Sequence, residues 1–134
     1  MRSVQLLVIF LAISTIQCMS DYLKKNILQW QRECLKETSV DRKLVMDAMI
    51  NHQYPDDLPF KKFIYCLTKK SGIMDDLGNI HATVLKKYLI NEGQSDSVAE
   101  EIVKKCLTVK GTAEDTALAL FVCYQGKAPK EVQV

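Results

Sequence analysis

The hydrophobic residues of this chain recur at steps of three and four along most of its length, which is the spacing of amphipathic α-helices. Leu23, Ile27, Trp30 and Cys34 form the first such stripe. Periodicity and capping residues together predict six short helices. The first is expected over about 21–37, and the second is a short helix capped by Thr38 or Ser39 that ends near Asn51. The third runs from Asp57 to Gly72, and the fourth over about 80–91. The fifth has a capping box of Ser97 and Glu100 and stops at Gly111, and the sixth begins at Thr112.

Two further stretches complete the predicted fold. Residues 73–79 read as an irregular connection rich in turn residues, whose apolar members Ile73, Met74 and Leu77 are expected to tuck inward. The run 117–124 has almost no polar face, which predicts that the last helix lies at the centre. The sequence thus predicts an all-α protein, a compact array of about six short helices around an apolar cavity.

The N-terminal residues have the pattern of a secretory leader. Arg2 precedes an apolar run of thirteen residues, 4–16, which is well short of the roughly 20 needed to span a bilayer. We therefore expect residues 1–18 to be a signal peptide and residues 19–134 to form a single domain. The mature protein is predicted to be secreted and extracellular.

The cysteines support this compartment. Cleavage after Cys18 or Ser20 would leave an even number of cysteines, which suits an oxidising destination, whereas cleavage after Ser14 would keep Cys18 as an odd thiol. The intervals between the remaining cysteines are thirty-one, thirty-nine and sixteen residues, far wider than a Cys-x-x-Cys metal clip. This spacing favours disulfides over zinc. The four cysteines are Cys34, Cys66, Cys106 and Cys123.

Charge and motifs exclude several classes of function. Without the leader the chain has 17 basic and 16 acidic residues, with lysine pairs dispersed along it, so neither a nucleic acid nor a membrane surface is an expected partner. No hydrolase elbow, zinc-protease motif or phosphate loop occurs. Asp75 and Asp76 faintly resemble a calcium loop, but its twelfth position would hold Lys86 or Lys87 instead of glutamate. We expect no enzyme, no cofactor and no metal.

The four cysteines and residues 71–80, SGIMDDLGNI, resemble the insect odorant-binding proteins. Members of that family have six cysteines, and here the second and fifth positions hold Lys62 and Glu114. Because the family pairs those two with each other, their joint loss leaves no unpaired partner, as in the four-cysteine, or Minus-C, subgroup. The resemblance covers essentially residues 21–126. It implies the pairs Cys34–Cys66 and Cys106–Cys123.

The resemblance implies a carrier that reversibly binds small hydrophobic molecules, such as odorants or pheromones, in an internal apolar cavity and transports them through an aqueous secretion. A small hydrophobic ligand is then the main partner, an olfactory receptor is a further candidate partner, and the protein is expected to be a monomer or a weak homodimer. The alternative is a secreted helical interaction protein from venom, seminal fluid or defence, which has a filled core and acts on a protein partner.

The candidate ligand-binding residues are apolar side chains in excess of what helix packing requires, with one tyrosine whose hydroxyl could bond a ligand. Ordinary core packing is the competing interpretation of each. They are Met49, Ile64, Met74, Leu77, Leu85, Tyr88, Leu89, Leu118 and Phe121.

Two features raise the question of how a ligand would be released. Val132 and Val134 could cover the cavity as a C-terminal lid, although a frayed terminus explains the same residues. His52 and His81 are candidates for a pH switch because imidazole is the side chain whose charge changes in mild acid, but their positions in a loop and at a helix start favour solvent exposure instead.

Overall fold

Six α-helices follow one another along residues 21–127, the part of the chain that this computed structural model describes. They are α1 (Asp21–Thr38), α2 (Arg42–Asn51), α3 (Leu58–Lys70), α4 (Ala82–Asn91), α5 (Asp96–Cys106) and α6 (Ala113–Lys127). The predicted all-α class is confirmed. The predicted leader, 1–18, and the predicted lid or frayed end, 128–134, lie outside the described residues.

The turn between α1 and α2 differs from the predicted one. The Thr38 hydroxyl donates back to the carbonyl of Cys34 at 2.6 Å, and Ser39 adopts a left-handed backbone with φ of 53°. Neither residue is therefore free to cap α2, and the prediction of a cap at Thr38 or Ser39 is wrong. The cap is Asp41, whose carboxylate accepts from the Lys43 amide at 2.9 Å.

Helix α3 begins as the sequence predicts. The Asp57 carboxylate accepts from the backbone amide of Phe60 at 3.0 Å, and Pro59 stands in the first turn, where a missing amide hydrogen costs nothing. The helix ends at Lys70, and Gly72 follows with φ of 81°, close to the predicted stop.

The connection between α3 and α4 is organised by one carboxylate. Asp75 Oδ1 accepts from the backbone amides of Leu77 and Asn79, each at 2.9 Å, and so closes a tight turn. Met74 lies before this turn and is only 2% exposed, as predicted. Leu77 lies at its tip, 85% exposed, because the turn that Asp75 closes projects into solvent. The prediction that Leu77 tucks inward is wrong.

Helix α5 begins earlier than predicted. Ser95, in extended conformation, accepts from the Val98 amide at 3.3 Å, so Ser97 lies inside the helix and forms no capping box. The helix also ends at Cys106, before Gly111. Within this helix Ile102 and Cys106 lie in the core, whereas Val98 is 39% exposed.

Helix α3 lies at the centre of the packing. It packs against α1 and α6, and α5 packs against α4 and α6. Phe60, Phe63 and Ile64 of α3 are at most 1% exposed. Helix α6 is buried on one side only, since Val122 is 43% exposed while Leu120 is 3% exposed. The prediction that α6 is the central helix is therefore wrong, because its outer face is left to solvent.

Two disulfides join these helices in pairs. Cys34–Cys66 connects α1 to α3, and Cys106–Cys123 connects α5 to α6, which is the pairing that the resemblance implies. A chain-entropy estimate gives about 4 kcal/mol for the longer loop and about 3 kcal/mol for the shorter one. Both terms add to the stability of a domain whose core is small.

A glycine in the α3–α4 connection provides a test of this arrangement. Gly78 has φ of 82°, and a Cβ added there would lie 3.0 Å from the Cβ of Ala113, at the start of α6. We expect Gly78→Ala to lower the free energy of unfolding by about 1–3 kcal/mol, because it combines backbone strain with a close contact. The control is Gly111→Ala, where a Cβ meets nothing within 4 Å. Urea unfolding that gave both variants the same midpoint would contradict the prediction.

Candidate functional site

Four of the predicted ligand-binding residues form part of one buried cluster. Ile64 of α3, Met74 of the connection, and Leu85 and Leu89 of α4 are all at most 3% exposed and belong to the same hydrophobic core. Their side chains carry no hydrogen-bonding group apart from the weak thioether acceptor of Met74. This cluster, which we call the interior cluster, can therefore offer a ligand only apolar contact and shape. Met74 is its most deformable member, since a thioether chain adapts to several ligand shapes.

Three other predicted residues lie at the margin of that core. Met49, Leu118 and Phe121 are half-buried and pack against it. The ring of Phe121 meets the ring of Tyr54 edge-to-face, with centroids 5.1 Å apart, which joins α6 to the loop after α2. The structure thus brings seven predicted residues onto or against one core, where packing and ligand contact remain alternative roles.

The two remaining predicted residues have other surroundings. The Tyr88 hydroxyl donates to the carbonyl of Ser71 at 2.8 Å, and so ties α4 to the end of α3. Leu77, at the exposed tip of the Asp75 turn, lies away from the interior cluster.

Two open grooves indent the surface. The first, about 330 Å³, lies along α2 and the loop that contains Tyr54 and Pro55. The second, about 620 Å³, runs along the outer face of α6, where Leu118, Ala119 and Val122 form an apolar floor. Leu118, one of the predicted ligand-binding residues, lines this second groove and also packs against the margin of the core. The sequence prediction did not include either groove.

Sequence reasoning also missed a half-buried carboxyl group. Glu92 follows α4, and its Oε2 accepts a hydrogen bond from the hydroxyl of Tyr124 on α6. Burial raises the pKa of the Glu92 carboxyl to about 7, because the charged form loses its hydration. No sequence signal marked Glu92, since its burial depends on how α4 and α6 meet.

The histidines are exposed, as expected. His81 Nε2 lies 3.1 Å from Asp75 Oδ2, and His52 Nδ1 lies 3.3 Å from the Tyr54 hydroxyl. Hydrogen bonds from the backbone and side chain of Asn79, from the Leu77 amide and from His81 hold the pKa of Asp75 below its ordinary value. Within residues 21–127, no cluster of three or more potential metal ligands is present. The same range contains no helix with the length and apolar character required to cross a bilayer.

Comparison with known proteins defines the class. Residues 16–127 match the PBP/GOBP family, so the chain belongs to this family of insect odorant-binding proteins, which are carriers of small ligands and not enzymes. The B1 protein of Tenebrio molitor is 28% identical over 108 residues, which are 81% of this chain and 82% of that protein.

Solved structures share the fold. Odorant binding protein 5 of Apis mellifera superimposes with a TM-score of 0.70 at 21% identity, covering 85% of this chain and 94% of that one. A fatty acid binding protein, OBP56a, from the oral disk of the blowfly Phormia regina gives a TM-score of 0.67 at 20% identity, covering 81% and 94%.

The half-buried carboxyl of Glu92 predicts how stability depends on pH. The folded protein keeps a proton on Glu92 up to about pH 7, whereas the unfolded chain releases it near pH 4.5. Between these values the folded state binds more protons, so the free energy of unfolding falls as pH rises, by an amount on the order of 2 kcal/mol. We expect Glu92→Gln to abolish this fall.

The measurement is urea unfolding at several pH values from 4.5 to 7. Glu100→Gln is the matched control, because it removes an exposed carboxylate from α5 and should keep the wild-type slope. A Glu92→Gln variant whose stability still fell as steeply as that of the wild type would show that another group causes the pH dependence.

Proposed function

We propose that this protein is a secreted carrier that reversibly binds small hydrophobic molecules and transports them through an aqueous secretion. The observation that supports this most is the family match over residues 16–127, joined to a fold whose core carries the interior cluster. The predicted signal peptide, 1–18, supports secretion within the same proposal. A monomeric or weakly dimeric state and an olfactory receptor as partner are further predictions.

We place the ligand among the interior cluster and the marginal residues Leu118 and Phe121. Aliphatic and aromatic surface favours acyl chains and other apolar molecules. Because the similar Phormia regina protein is a fatty acid binding protein, fatty acids are the first class of ligand to test. A ligand of about 15 to 20 heavy atoms would bind with roughly 6 to 9 kcal/mol, which corresponds to around micromolar affinity. Such affinity allows both uptake and release.

We further propose that the protein belongs to the four-cysteine, or Minus-C, subgroup of the family. The fifth cysteine, Cys18, falls at the predicted leader boundary and would leave with it. The remaining four are paired within the described residues, and positions 62 and 114 hold lysine and glutamate.

The second candidate function is a secreted interaction protein that acts on another macromolecule. The groove on α6 favours it, since Leu118, Ala119 and Val122 form a contiguous apolar floor on the surface. The two functions differ in what they require of the interior. A carrier must admit a ligand into the core, whereas an interaction protein needs only its surface.

Titration of the oxidised, delipidated protein with an environment-sensitive apolar dye, followed by competition with fatty acids, alcohols and esters, tests the carrier. We expect saturable one-to-one binding that the competitors displace. No saturable uptake by protein shown to be folded and disulfide-bonded would end the carrier proposal in favour of the interaction protein.

Two substitutions test the position of the ligand. Leu85→Ala opens space within the interior cluster. We expect it to shift the protein's binding preference towards bulkier competitors, because these can fill the void that the removed methyl groups leave. Ala119→Trp fills the groove on α6 and should leave affinity unchanged. If Ala119→Trp abolished binding while Leu85→Ala left the order of competitors intact, the ligand would lie in the α6 groove instead.

A further inference from the structure

A cluster of charged side chains ties the start of α3 to the start of α6. The ammonium group of Lys61 donates to Asp115 Oδ1 at 2.7 Å and also contacts Asp56 Oδ1 in the loop before α3. The side chain of Lys61 is only 15% exposed. The two carboxylates are more open, since the side chain of Asp115 is 43% exposed and that of Asp56 is 87% exposed. The Lys61–Asp115 hydrogen bond is charge-assisted and sheltered at its lysine end, and salt can still screen it from the side of the carboxylates. The three residues form what we call the Lys61 cluster.

The cluster lies next to the two positions from which cysteines are absent. In six-cysteine members of the family, a bridge would join position 62 to position 114. Here Lys62 follows Lys61 on α3, and Glu114 precedes Asp115 on α6. Lys61 and Asp115, which form the ion pair, are thus the immediate chain neighbours of positions 62 and 114, which a disulfide joins in six-cysteine members.

The covalent structure explains why this contact matters. The two disulfides close two separate rings, residues 34–66 and residues 106–123, and only the main chain joins one ring to the other. Lys61 belongs to the first ring and Asp115 to the second. By comparison, Lys70 pairs with Glu33 at 3.0 Å between α1 and α3, two helices that Cys34–Cys66 already joins.

We propose that the Lys61 cluster takes the place of the absent third bridge and holds the two rings together by charge instead of by a covalent bond. A disulfide resists salt and yields to reductant, whereas an ion cluster resists reductant and is weakened by salt. Because α3 and α6 also pack directly against each other, the ionic strength of the surrounding fluid then adjusts, and does not alone determine, how firmly α6 with its Leu118 and Phe121 is held against α3.

The first experiment measures the melting temperature of the oxidised protein at low and high NaCl concentration. Lys61→Met keeps most of the buried stem but removes the charge, and Asp115→Asn keeps the shape of its partner. We expect each to lower the melting temperature by about 5 °C at low salt and to abolish most of its salt dependence. The control, Lys105→Met, breaks the pair with Glu101 within α5 and should retain the wild-type salt dependence.

The second experiment restores the covalent bridge with the double substitution Lys62→Cys and Glu114→Cys. Peptide mapping should find these two positions cross-linked. In this bridged background Lys61→Met should lower the melting temperature only slightly, because the disulfide already joins α3 to α6.

Three results would overturn the proposal. The first is an unchanged melting temperature in both Lys61→Met and Asp115→Asn. The second is an equal loss from Lys61→Met with and without the added bridge, which would make the two contacts independent. The third is a failure of the new cysteines to pair in folded protein, which would show that positions 62 and 114 are not opposed. None of these results depends on whether a ligand binds.

Discussion

The burial of α3 on several sides is the constraint on which the rest of the structure depends. Phe60, Phe63 and Ile64 are almost wholly inaccessible, so α1 and α6 must both pack against this helix to cover them. The disulfide at Cys66 fixes α1 to its last turns, and the Lys61 cluster contacts α6 from its first turn. The remaining helices, α4 and α5, complete the core from the side of α6.

The sequence predicted helices well where the signal was local. The Asp57 cap of α3 was predictable because the carboxylate accepts from the amide of Phe60, only three residues away, and so depends on no distant part of the chain. The caps of α2 and α5 were misplaced because several adjacent residues could serve, and the choice depends on where the chain must turn in three dimensions. Thr38 bonds back into α1, and Ser95 is used in place of Ser97.

Burial was predictable along helices and not at the turn. Ile64, Leu85 and Leu89 follow helical periodicity and are buried, but Leu77 was judged by its hydrophobicity alone, and the turn that Asp75 closes carries it outward. Glu92 shows the opposite failure. A glutamate next to a glycine resembles an ordinary helix end, and only the approach of Tyr124 from α6 shows that it is partly withdrawn from solvent.

The separation of the two disulfide rings has a consequence for α4. This helix lies between Cys66 and Cys106, in the part of the chain that neither ring encloses, and it is held by packing on α5, by the Tyr88 hydrogen bond to Ser71 and by the contact of Glu92 with Tyr124. Its displacement strains neither covalent loop. Helix α4, which contributes Leu85 and Leu89 to the core, therefore keeps its position through packing and hydrogen bonds alone, without a covalent cross-link of its own.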